Sequence, residues 1–372
     1  MNRHLPTRTG VPCNRCEGLP AADALDGDLH CWFPTTHVAG KVRKLLSTLG
    51  VSCAPTVGDG LMFSLREPER EGVLAALDAN LSDVEREDTR ALLTLPGKAP
   101  GTADLPRVEP LGRWVSRGQS GWLIAMLAER RLTSHFQPIV RTANPGMVYG
   151  HEALLRGVAP DGSLLPPAQL FDTARRAGLL FQLDLAARRS AIANAHAHGL
   201  DGVLFVNFAP TAIYDPTACL RSTVAAIDSA GMQRSAVVFE IVETERAHDV
   251  AHLRRILDYY REAGFRIALD DVGSGYSSLN LIHLLRPDIL KLDMELVRGV
   301  HLDPYKARIA ANLLDVATSL GIDSLAEGVE TEGELEWVSE HGATFVQGFL
   351  LGRPSPTPAT TVGADGALAK HM

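Results

Sequence analysis

Positive charge is in the minority in this sequence of 372 residues. The 36 Lys and Arg residues face 44 Asp and Glu residues, so the formal net charge is 36 − 44 = −8. Nucleic acid is gripped mainly through clustered Lys and Arg, and no basic tail or face is evident. We therefore predict no direct nucleic-acid partner, and a phosphate-bearing ligand would need bound metals or a local site.

Long apolar runs are also missing. No uncharged apolar stretch reaches the length of about 18 residues that suggests a membrane helix. The first ten residues, M-N-R-H-L-P-T-R-T-G, lack the apolar core of a secretory signal. We therefore predict no membrane span and a cytoplasmic location. Apolar residues make up 45% and charged residues 22% of the chain, which is ordinary for globular proteins and excludes wholesale disorder.

Cysteine is scarce. Five cysteines are few for the length and odd in number, which favours reduced thiols over a disulfide framework. Near the start of the chain, Cys13, Cys16 and Cys31 together with His30 and His37 offer metal ligands, but a second close pair with structural-zinc spacing is lacking. A Zn²⁺ site, a redox-responsive thiol pair and plain cysteines all remain open for Cys13, Cys16 and Cys31.

The length predicts about two domains. Residues 96–118 are rich in Pro, Gly and charge and are predicted to be an interdomain linker. Before them, strands at 29–33, 61–65 and 91–95 and helices at 37–49 and 69–81 predict a small α+β regulatory or sensory domain over 1–95. At the other end, 357–372 is predicted to be a flexible tail.

Between linker and tail, over 119–356, short apolar runs alternate with amphipathic helical patterns. The predicted strands are 134–140, 148–155, 203–208, 237–241, 266–270, 288–292, 323–327 and 344–346. This α/β pattern predicts a (β/α)₈ TIM-like barrel, with an open doubly wound sheet as the alternative. The Arg-Arg pairs at 130–131, 175–176, 188–189 and 254–255 fall on the helices and are predicted to be exposed.

Barrel enzymes place catalytic side chains at the carboxyl ends of their strands. Here the residues at those ends are mostly acidic: Glu152, Asn207, Glu240, Glu243, Asp270, Asp271, Lys291, Glu327, Glu330 and Gln347. Carboxylates in apolar runs are costly to bury unless a positive group compensates. An all-oxygen set favours Mg²⁺ or Mn²⁺ over Zn²⁺. The adjacent Asp270 and Asp271 can reach two metals, an arrangement typical of phosphoester hydrolysis.

These residues carry a resemblance to the EAL domain family of cyclic di-GMP phosphodiesterases over about residues 120–356. The matching motifs are H-F-Q-P-I-V (135–140), E-A-L-L-R (152–156), V-N-F-A-P (206–210), E-I-V-E (240–243), L-D-D-V-G-S-G-Y-S-S-L (269–279), D-I-L-K-L-D (288–293), A-E-G-V-E-T (326–331) and Q-G-F-L-L-G-R-P (347–354). The resemblance implies a barrel that is usually dimeric and that hydrolyses cyclic di-GMP to linear pGpG with two Mg²⁺ or Mn²⁺ ions.

The resemblance also implies the metal ligands. Those of the first metal are matched by Glu152, Asn207, Glu240 and Asp270. Asp270 and Asp271 resemble the residues that reach the second metal, and Glu327 is similar to the glutamate that supports this metal and its water.

Other roles follow from the same resemblance. Lys291 resembles the residue that orients or deprotonates the attacking water, and Gln347 is similar to a glutamine near that water. Gln137 and Arg156 match substrate contacts. The expected supports of the loop 271–275 are Glu243, Glu330, Gly273 and Gly275.

Departures from the family pattern leave every ligand in place. The loop reads D-D-V-G-S-G instead of the usual D-D-F-G-T-G, and Ala209 replaces a common serine. Two alternatives remain: a degenerate EAL module that binds cyclic di-GMP without cleaving it, and an unrelated barrel enzyme in which Lys291 forms a Schiff base. A lysine ringed by carboxylates stays charged, which disfavours the second alternative.

Overall fold

The structure of this protein is a computed structural model that describes residues 18–19, 26–242, 250–273 and 278–362. The chain divides into two compact units. Among the described residues, the N-terminal unit contains 18–19, 26–131 and 159–183, and the barrel unit contains 132–158 and the residues from 184 onward.

Helices and strands alternate along most of the described chain. Up to residue 177 they are β1 (Gly27–Trp32), α1 (Thr36–Thr48), β2 (Cys53–Thr56), β3 (Gly60–Leu65), α2 (Glu69–Asn80), α3 (Asp83–Asp88), β4 (Arg90–Thr94), β5 (Glu109–Pro110), α4 (Leu111–Gln119), α5 (Gly121–Ala128), β6 (Leu132–Arg141), β7 (Asn144–Val158), β8 (Leu164–Leu165) and α6 (Pro167–Ala177).

The later elements are α7 (Leu180–Ala197), β9 (Val203–Asn207), α8 (Pro216–Cys219), α9 (Arg221–Ser229), β10 (Val237–Val242), α10 (Val250–Glu262), β11 (Arg266–Val272), α11 (Ser278–Leu285), β12 (Ile289–Leu292), α12 (Met294–Val297), α13 (Pro304–Leu320), β13 (Asp323–Ala326), α14 (Glu332–Glu340) and β14 (Phe345–Val346). Of these described helices, none has the length and apolar character that a membrane span requires.

The N-terminal unit is built on an antiparallel sheet with the order β2-β3-β1-β4-β5. The predicted β-α-β-α-β order of a small α+β domain is present, with β2, α3 and β5 in addition. No strand is predicted at β2, because this strand is short and contains Pro55, a residue that sheets tolerate at their edges. β2 is indeed an edge strand of the sheet.

One face of this sheet carries the core of the unit. Side chains at alternate positions of β1, β3 and β4 pack with the apolar faces of α1 and α2. The core includes Leu29, Cys31, Phe63, Leu65, Ala91, Leu93, Val38, Val42, Leu46, Val73, Leu74 and Leu77. On the opposite face of β1, His30 is held between the hydroxyls of Thr56 and Thr94, at 2.7 and 3.1 Å.

The barrel unit contains a closed sheet of eight strands in the order β6-β14-β13-β12-β11-β10-β9-β7, with β7 pairing back to β6. Each predicted barrel strand is present, so the predicted barrel is confirmed and the open sheet is excluded. β6 runs antiparallel to both β7 and β14, whereas the other neighbours are parallel. Only residues 142 and 143 join β6 to β7, and so short a connection permits a hairpin but no parallel crossover.

Two segments outside the predicted domains contain ordered contacts. Within the predicted linker 96–118, β5 pairs with β4, and α4 buries Leu111, Trp114 and Val115 in the core of the N-terminal unit. The predicted tail 357–372 is described as far as residue 362, and within that part Thr361 bridges to Met147 and the Ala359 carbonyl lies 2.9 Å from His151 Nε2.

Strands β7 and β9 approach each other closely at Gly150, which leaves no space for a side chain there. A Cβ at Gly150 would lie 2.4 Å from the Val203 carbonyl oxygen, where β7 meets β9. We expect Gly150→Ala to lower the free energy of unfolding by about 1–3 kcal/mol because the strands must move apart. Gly146→Ala is the matched control, since a Cβ there would meet nothing nearer than 4.0 Å on the same strand. Denaturant unfolding followed by circular dichroism measures both, and equal stabilities would contradict this close approach.

Candidate active site

A layer of apolar side chains fills the barrel beneath one of its ends. The layer consists of Ile139, Val203, Phe205, Val238, Ala268, Ile289, Leu325 and Phe345. Side chains on a strand alternate between its two faces, so the residue two positions away points into the barrel again. Two residues after the layer residues Phe205, Val238, Ala268, Ile289, Leu325 and Phe345, the chain has a polar residue in each case. These residues are Asn207, Glu240, Asp270, Lys291, Glu327 and Gln347. On the antiparallel β6 the step runs backward, from Ile139 to Gln137.

A bulge in β11 brings both aspartates to this end. The register between β11 and β12 shifts between Leu269 and Val272, and Asp271 has a φ of +57°, a conformation that aspartate adopts more readily than most residues. Regular alternation would send adjacent side chains to opposite faces. Instead, one oxygen from each of Asp270, Asp271 and Glu327 lies within 4.8 Å of the others.

Lys291 lies at the centre of the carboxylates. Its Nζ is 2.7 Å from Glu240, 2.8 Å from Glu327 and 3.0 Å from Asp270, and 4.0 Å from Glu152. The lysine is 1% exposed and Glu240 is 0% exposed, so water screens these charges little. With Asp271, five carboxylates surround one ammonium.

Burial and the neighbouring charges shift the pKa of four carboxyl groups of the cluster and of Lys291. Burial raises the pKa of Glu240 and of Glu327 well above the usual range, and the attraction of Lys291 lowers them only in part. Burial also raises the pKa of Asp270, and burial together with the charge of Asp270 raises the pKa of Asp271 to about 6. Burial opposes the charge of Lys291, yet the carboxylates, led by Asp270, raise the pKa of Lys291 well above its usual value.

The donor set fits hard divalent cations. Oε2 of the buried Glu240 accepts no hydrogen bond from the described residues, and Oε1 lies 2.7 Å from Lys291 Nζ. A buried carboxylate oxygen without a donor, together with the group of three carboxylates described above, is suited to a cation that prefers oxygen ligands. The cluster can therefore bind a metal.

Amide side chains orient Glu152. Asn207 Nδ2 donates to Glu152 Oε1 at 2.9 Å, and Gln347 Nε2 donates to Glu152 Oε2 at the same distance. Gln347 also donates to Gln137 Oε1 at 3.1 Å, while Gln137 Nε2 donates to the Gly352 carbonyl at 3.2 Å. Both oxygens of Glu152 are thus fixed by neutral donors.

Comparison with known proteins agrees with this geometry. A family model described as EAL domain matches residues 121–354. The chain belongs to the EAL domain family. Its EAL segment is similar to a solved standalone versatile EAL protein from Vibrio cholerae O395 in a c-di-GMP-bound form, with 36% identity, a TM-score of 0.56, and coverage of 62% of this chain and 95% of that one.

Two further relatives extend the comparison. A probable cyclic di-GMP phosphodiesterase, PdeG of Escherichia coli K12, is 34% identical over 228 residues, or 59% of this chain and 44% of that protein. A Klebsiella pneumoniae BlrP1 structure, a calcium/cy-diGMP complex, has 24% identity and a TM-score of 0.56, covers 89% of this chain and 96% of that one, and shows likeness of fold alone. The chain spans 30 to 44% of the length of four curated relatives.

The structure places the remaining predicted residues of the EAL segment in different surroundings. Arg156 is half-buried on β7, where Nη1 donates to the Leu155 carbonyl at 2.7 Å. Glu330 lies apart from the carboxylate cluster and pairs with Arg298. Gly273 has a φ of +107°, and a Cβ there would lie 2.1 Å from Leu296 Cδ1, so this position requires glycine. Glu243 and Gly275 lie outside the described residues.

The N-terminal metal or redox prediction concerns residues that are only partly described. Cys13 and Cys16 lie outside the described residues. Cys31 is fully buried in the core of the N-terminal unit, and burial raises the pKa of its thiol, which opposes the thiolate form. His30 faces the other side of β1. A Zn²⁺ or redox role for Cys13, Cys16 and Cys31 stays a prediction.

Several charged side chains of the described residues are buried although the sequence does not indicate it, and Arg188 and Glu334 are two of them. The predicted exposure of the pair 188–189 was wrong for Arg188, which is 2% exposed and bonded to Asp184. Glu334 accepts hydrogen bonds from the backbone amides of Gly299 at 2.7 Å and Glu330 at 2.8 Å, and so links the loop after α12 to the loop after β13. T-x-x-E at 331–334 signals a helix start, but nothing local signals the contact with Gly299.

The raised pKa of Asp271 predicts a pH-dependent penalty in the metal-free protein. A folded pKa of about 6, against 3.8 ordinarily, means that stability is present below about pH 4 and is lost as pH rises through 6. We expect Asp271→Asn to remove this loss, so that in chelator its melting temperature exceeds that of the parent at pH 7–8 but not at pH 4. An exposed variant, Asp258→Asn, should show no such divergence. Parallel melting curves of Asp271→Asn and parent across pH 4–8 would contradict the prediction.

Proposed function

We propose that the EAL segment hydrolyses cyclic di-GMP to linear pGpG. The observation that carries this proposal is the complete set of five carboxylates, Asn207 and Lys291 at one end of a closed barrel. Support comes from the relatives, which include a probable cyclic di-GMP phosphodiesterase and an EAL structure in a c-di-GMP-bound form. In the reaction, a water oxygen bonds to phosphorus while one ester P–O bond breaks, and the departing oxygen takes up a proton.

Different residues of the site have different roles in the proposed reaction. Two Mg²⁺ or Mn²⁺ ions would be held through Glu152, Asn207, Glu240, Asp270, Asp271 and Glu327. When bound, such ions lower the pKa of water and stabilise charge on phosphoryl oxygens. Lys291, kept charged by the surrounding carboxylates, orients the attacking water, and its positive charge suits the developing phosphorane. Gln347 holds Glu152 through the 2.9 Å hydrogen bond. In the proposed reaction it would lie near the attacking water.

Substrate recognition is assigned to Gln137 and Arg156. Gln137 is buried at the polar end of β6, and Arg156 lies four residues beyond Glu152 on the neighbouring β7. The planar guanidinium of Arg156 can bind a guanine edge or a phosphate through two parallel hydrogen bonds. Under the same proposal, the domain 1–95 regulates the EAL segment.

A receptor that binds cyclic di-GMP without cleaving it is the second candidate. The intact ligand set and the intact lysine disfavour it, because a degenerate site lacks one of these groups. A Schiff base at Lys291 is disfavoured further, since its ammonium lies within 3.0 Å of three carboxylates and a nucleophilic amine must be uncharged.

The first test concerns the metals. Protein stripped with chelator should lose hydrolysis of cyclic di-GMP and regain it with Mg²⁺ or Mn²⁺. Ca²⁺ should not restore it, because its larger and looser coordination shell spoils octahedral positioning. Product formation is measured by chromatography of pGpG. Hydrolysis that survives complete chelation would contradict the metal-dependent mechanism.

Two variants complete this test by separating enzyme from receptor. Glu152→Ala should weaken metal binding and turnover together, whereas Lys291→Ala should retain substrate binding and lower kcat, because its role concerns water in the transition state. Lys44→Ala, on the exposed face of α1, is the control for loss of a lysine. Parental turnover by Lys291→Ala would remove the lysine from the mechanism, and binding without turnover in the parent would identify a receptor.

We also propose a homodimer through the EAL segment. Leu302, Tyr305 and Ile309 form an apolar group at the start of α13, with exposures of 78%, 82% and 50%. Tyr305 and Ile309 are one helical turn apart, and a second copy would bury the same group symmetrically. In light scattering after gel filtration, Ile309→Glu should shift a dimer toward monomer. Leu320→Glu, exposed at the other end of α13, should not. A parent that is monomeric throughout would contradict the proposal.

A further inference from the structure

Helix α7 carries a charged pair that is buried within the barrel unit. Asp184 and Arg188 are one turn apart on the helix, and each is 2% exposed. Arg188 Nε and Nη2 donate to Asp184 Oδ2 at 3.0 and 2.7 Å. Arg188 Nη1 donates to the hydroxyl of Thr223, a fully buried residue of α9. The guanidinium is thus fixed from two helices.

The two oxygens of Asp184 have different partners. Both hydrogen bonds from Arg188 go to Oδ2, whereas Oδ1 accepts a hydrogen bond from the backbone amide of Ala209 at 2.8 Å. Ala209 is 5% exposed, so its amide would otherwise be buried without a partner in a region where an unpaired donor is costly. A planar guanidinium that binds one carboxylate oxygen from one side sets the direction of the other oxygen.

Ala209 lies two residues beyond Asn207, at the point where the chain leaves β9. Phe208 N donates to the Glu240 carbonyl at 3.2 Å, and Ala209 N donates to Asp184. These two consecutive amides fix the strand end that carries Asn207, whose Nδ2 in turn donates to Glu152. The hydrogen bond from Ala209 to Asp184 therefore acts on the same end of the barrel as the carboxylate cluster, although Asp184 and Arg188 belong to a helix and not to a barrel strand.

We infer that Asp184 is a positioning residue for the metal site, and that Arg188 orients it. Through the amide of Ala209, Asp184 fixes the position of Asn207 and so the geometry with which the site binds a divalent cation. The stability of the fold does not explain why this ion pair is present, because apolar residues of similar volume can often replace a buried ion pair without loss of stability. An apolar residue could not accept the hydrogen bond from the Ala209 amide, so this function requires a polar side chain. This inference rests on the proposed metal-binding role of Asn207.

A matched pair of double variants isolates the hydrogen bond to Ala209. Asp184→Asn with Arg188→Met removes both charges and keeps an acceptor for the Ala209 amide. Asp184→Leu with Arg188→Met also removes both charges but leaves no acceptor. Because Asn and Leu are nearly isosteric, the side chain at position 184 has a similar size in both variants. The full chain is titrated with Mn²⁺ alone, and free Mn²⁺ is measured by electron paramagnetic resonance. Melting temperatures in chelator give the stability of each variant.

We expect the Asn/Met variant to bind Mn²⁺ close to the parental affinity. The Leu/Met variant should bind it at least about 10-fold more weakly, as is typical when the partner of a metal ligand is lost. Asp184→Glu is a second probe should the Leu/Met variant not fold, because it keeps the charge but displaces the acceptor by one methylene. It too should weaken Mn²⁺ binding.

The outcomes separate this inference from the proposed function. Equal Mn²⁺ affinity of the parent, the Leu/Met variant and Asp184→Glu would overturn the positioning role while leaving the metal site intact. Equal weakening in the Asn/Met and Leu/Met variants would also overturn it, because the charge pair and not the hydrogen bond would then matter. A parent protein that binds no Mn²⁺ would overturn both the proposed metal site and this inference.

Discussion

Charge compensation inside the barrel is the constraint on which the rest of this structure depends. Five carboxylates converge at one end of the barrel, three of them buried, and the ammonium of Lys291 lies among them. Ionised carboxylates there need cations or protons, because the low dielectric strengthens their mutual repulsion and raises the cost of their desolvation. Burial raises the pKa of Glu240, Asp270, Asp271 and Glu327, and a divalent cation would supply the missing positive charge.

The barrel can hold this charge in place because its interior is packed directly below. Phe205, Ile289 and Phe345 are fully buried in this apolar layer, and each lies two residues before a polar group of the site. Strict alternation would give one such group per strand. The bulge in β11 is the exception, since it adds Asp271 to Asp270 and so makes a second metal position possible.

Support for the site also comes from carboxylates outside the barrel. Asp184 accepts an amide beyond β9, and Glu334 accepts amides from the loops that follow α12 and β13. These acids differ from those of the site in that each accepts at least one hydrogen bond from a backbone amide. They hold backbone segments that follow strands of the site, so the geometry of the polar end also depends on residues that do not line it.

The sequence by itself determined the barrel strands, their order and the polar residue at the end of each, because a period of two and a carboxylate after an apolar run are local patterns. It also determined the family, through motifs such as L-D-D-V-G-S-G and D-I-L-K-L-D. Local patterns did not indicate β2, whose Pro55 disguises an edge strand, or the antiparallel direction of β6, which follows from a two-residue connection to β7.

Only the tertiary structure decided which charges are buried and with whom. Arg188 and Arg189 are adjacent and chemically identical, yet one is 2% exposed and the other is on the surface. The partners of Arg188 include Thr223, 35 residues away, and Glu334 binds an amide that is also 35 residues away. Such contacts depend on how helices pack around the closed sheet. A helical pattern identifies the buried face of a helix, but it does not identify the residues of other elements that contact this face.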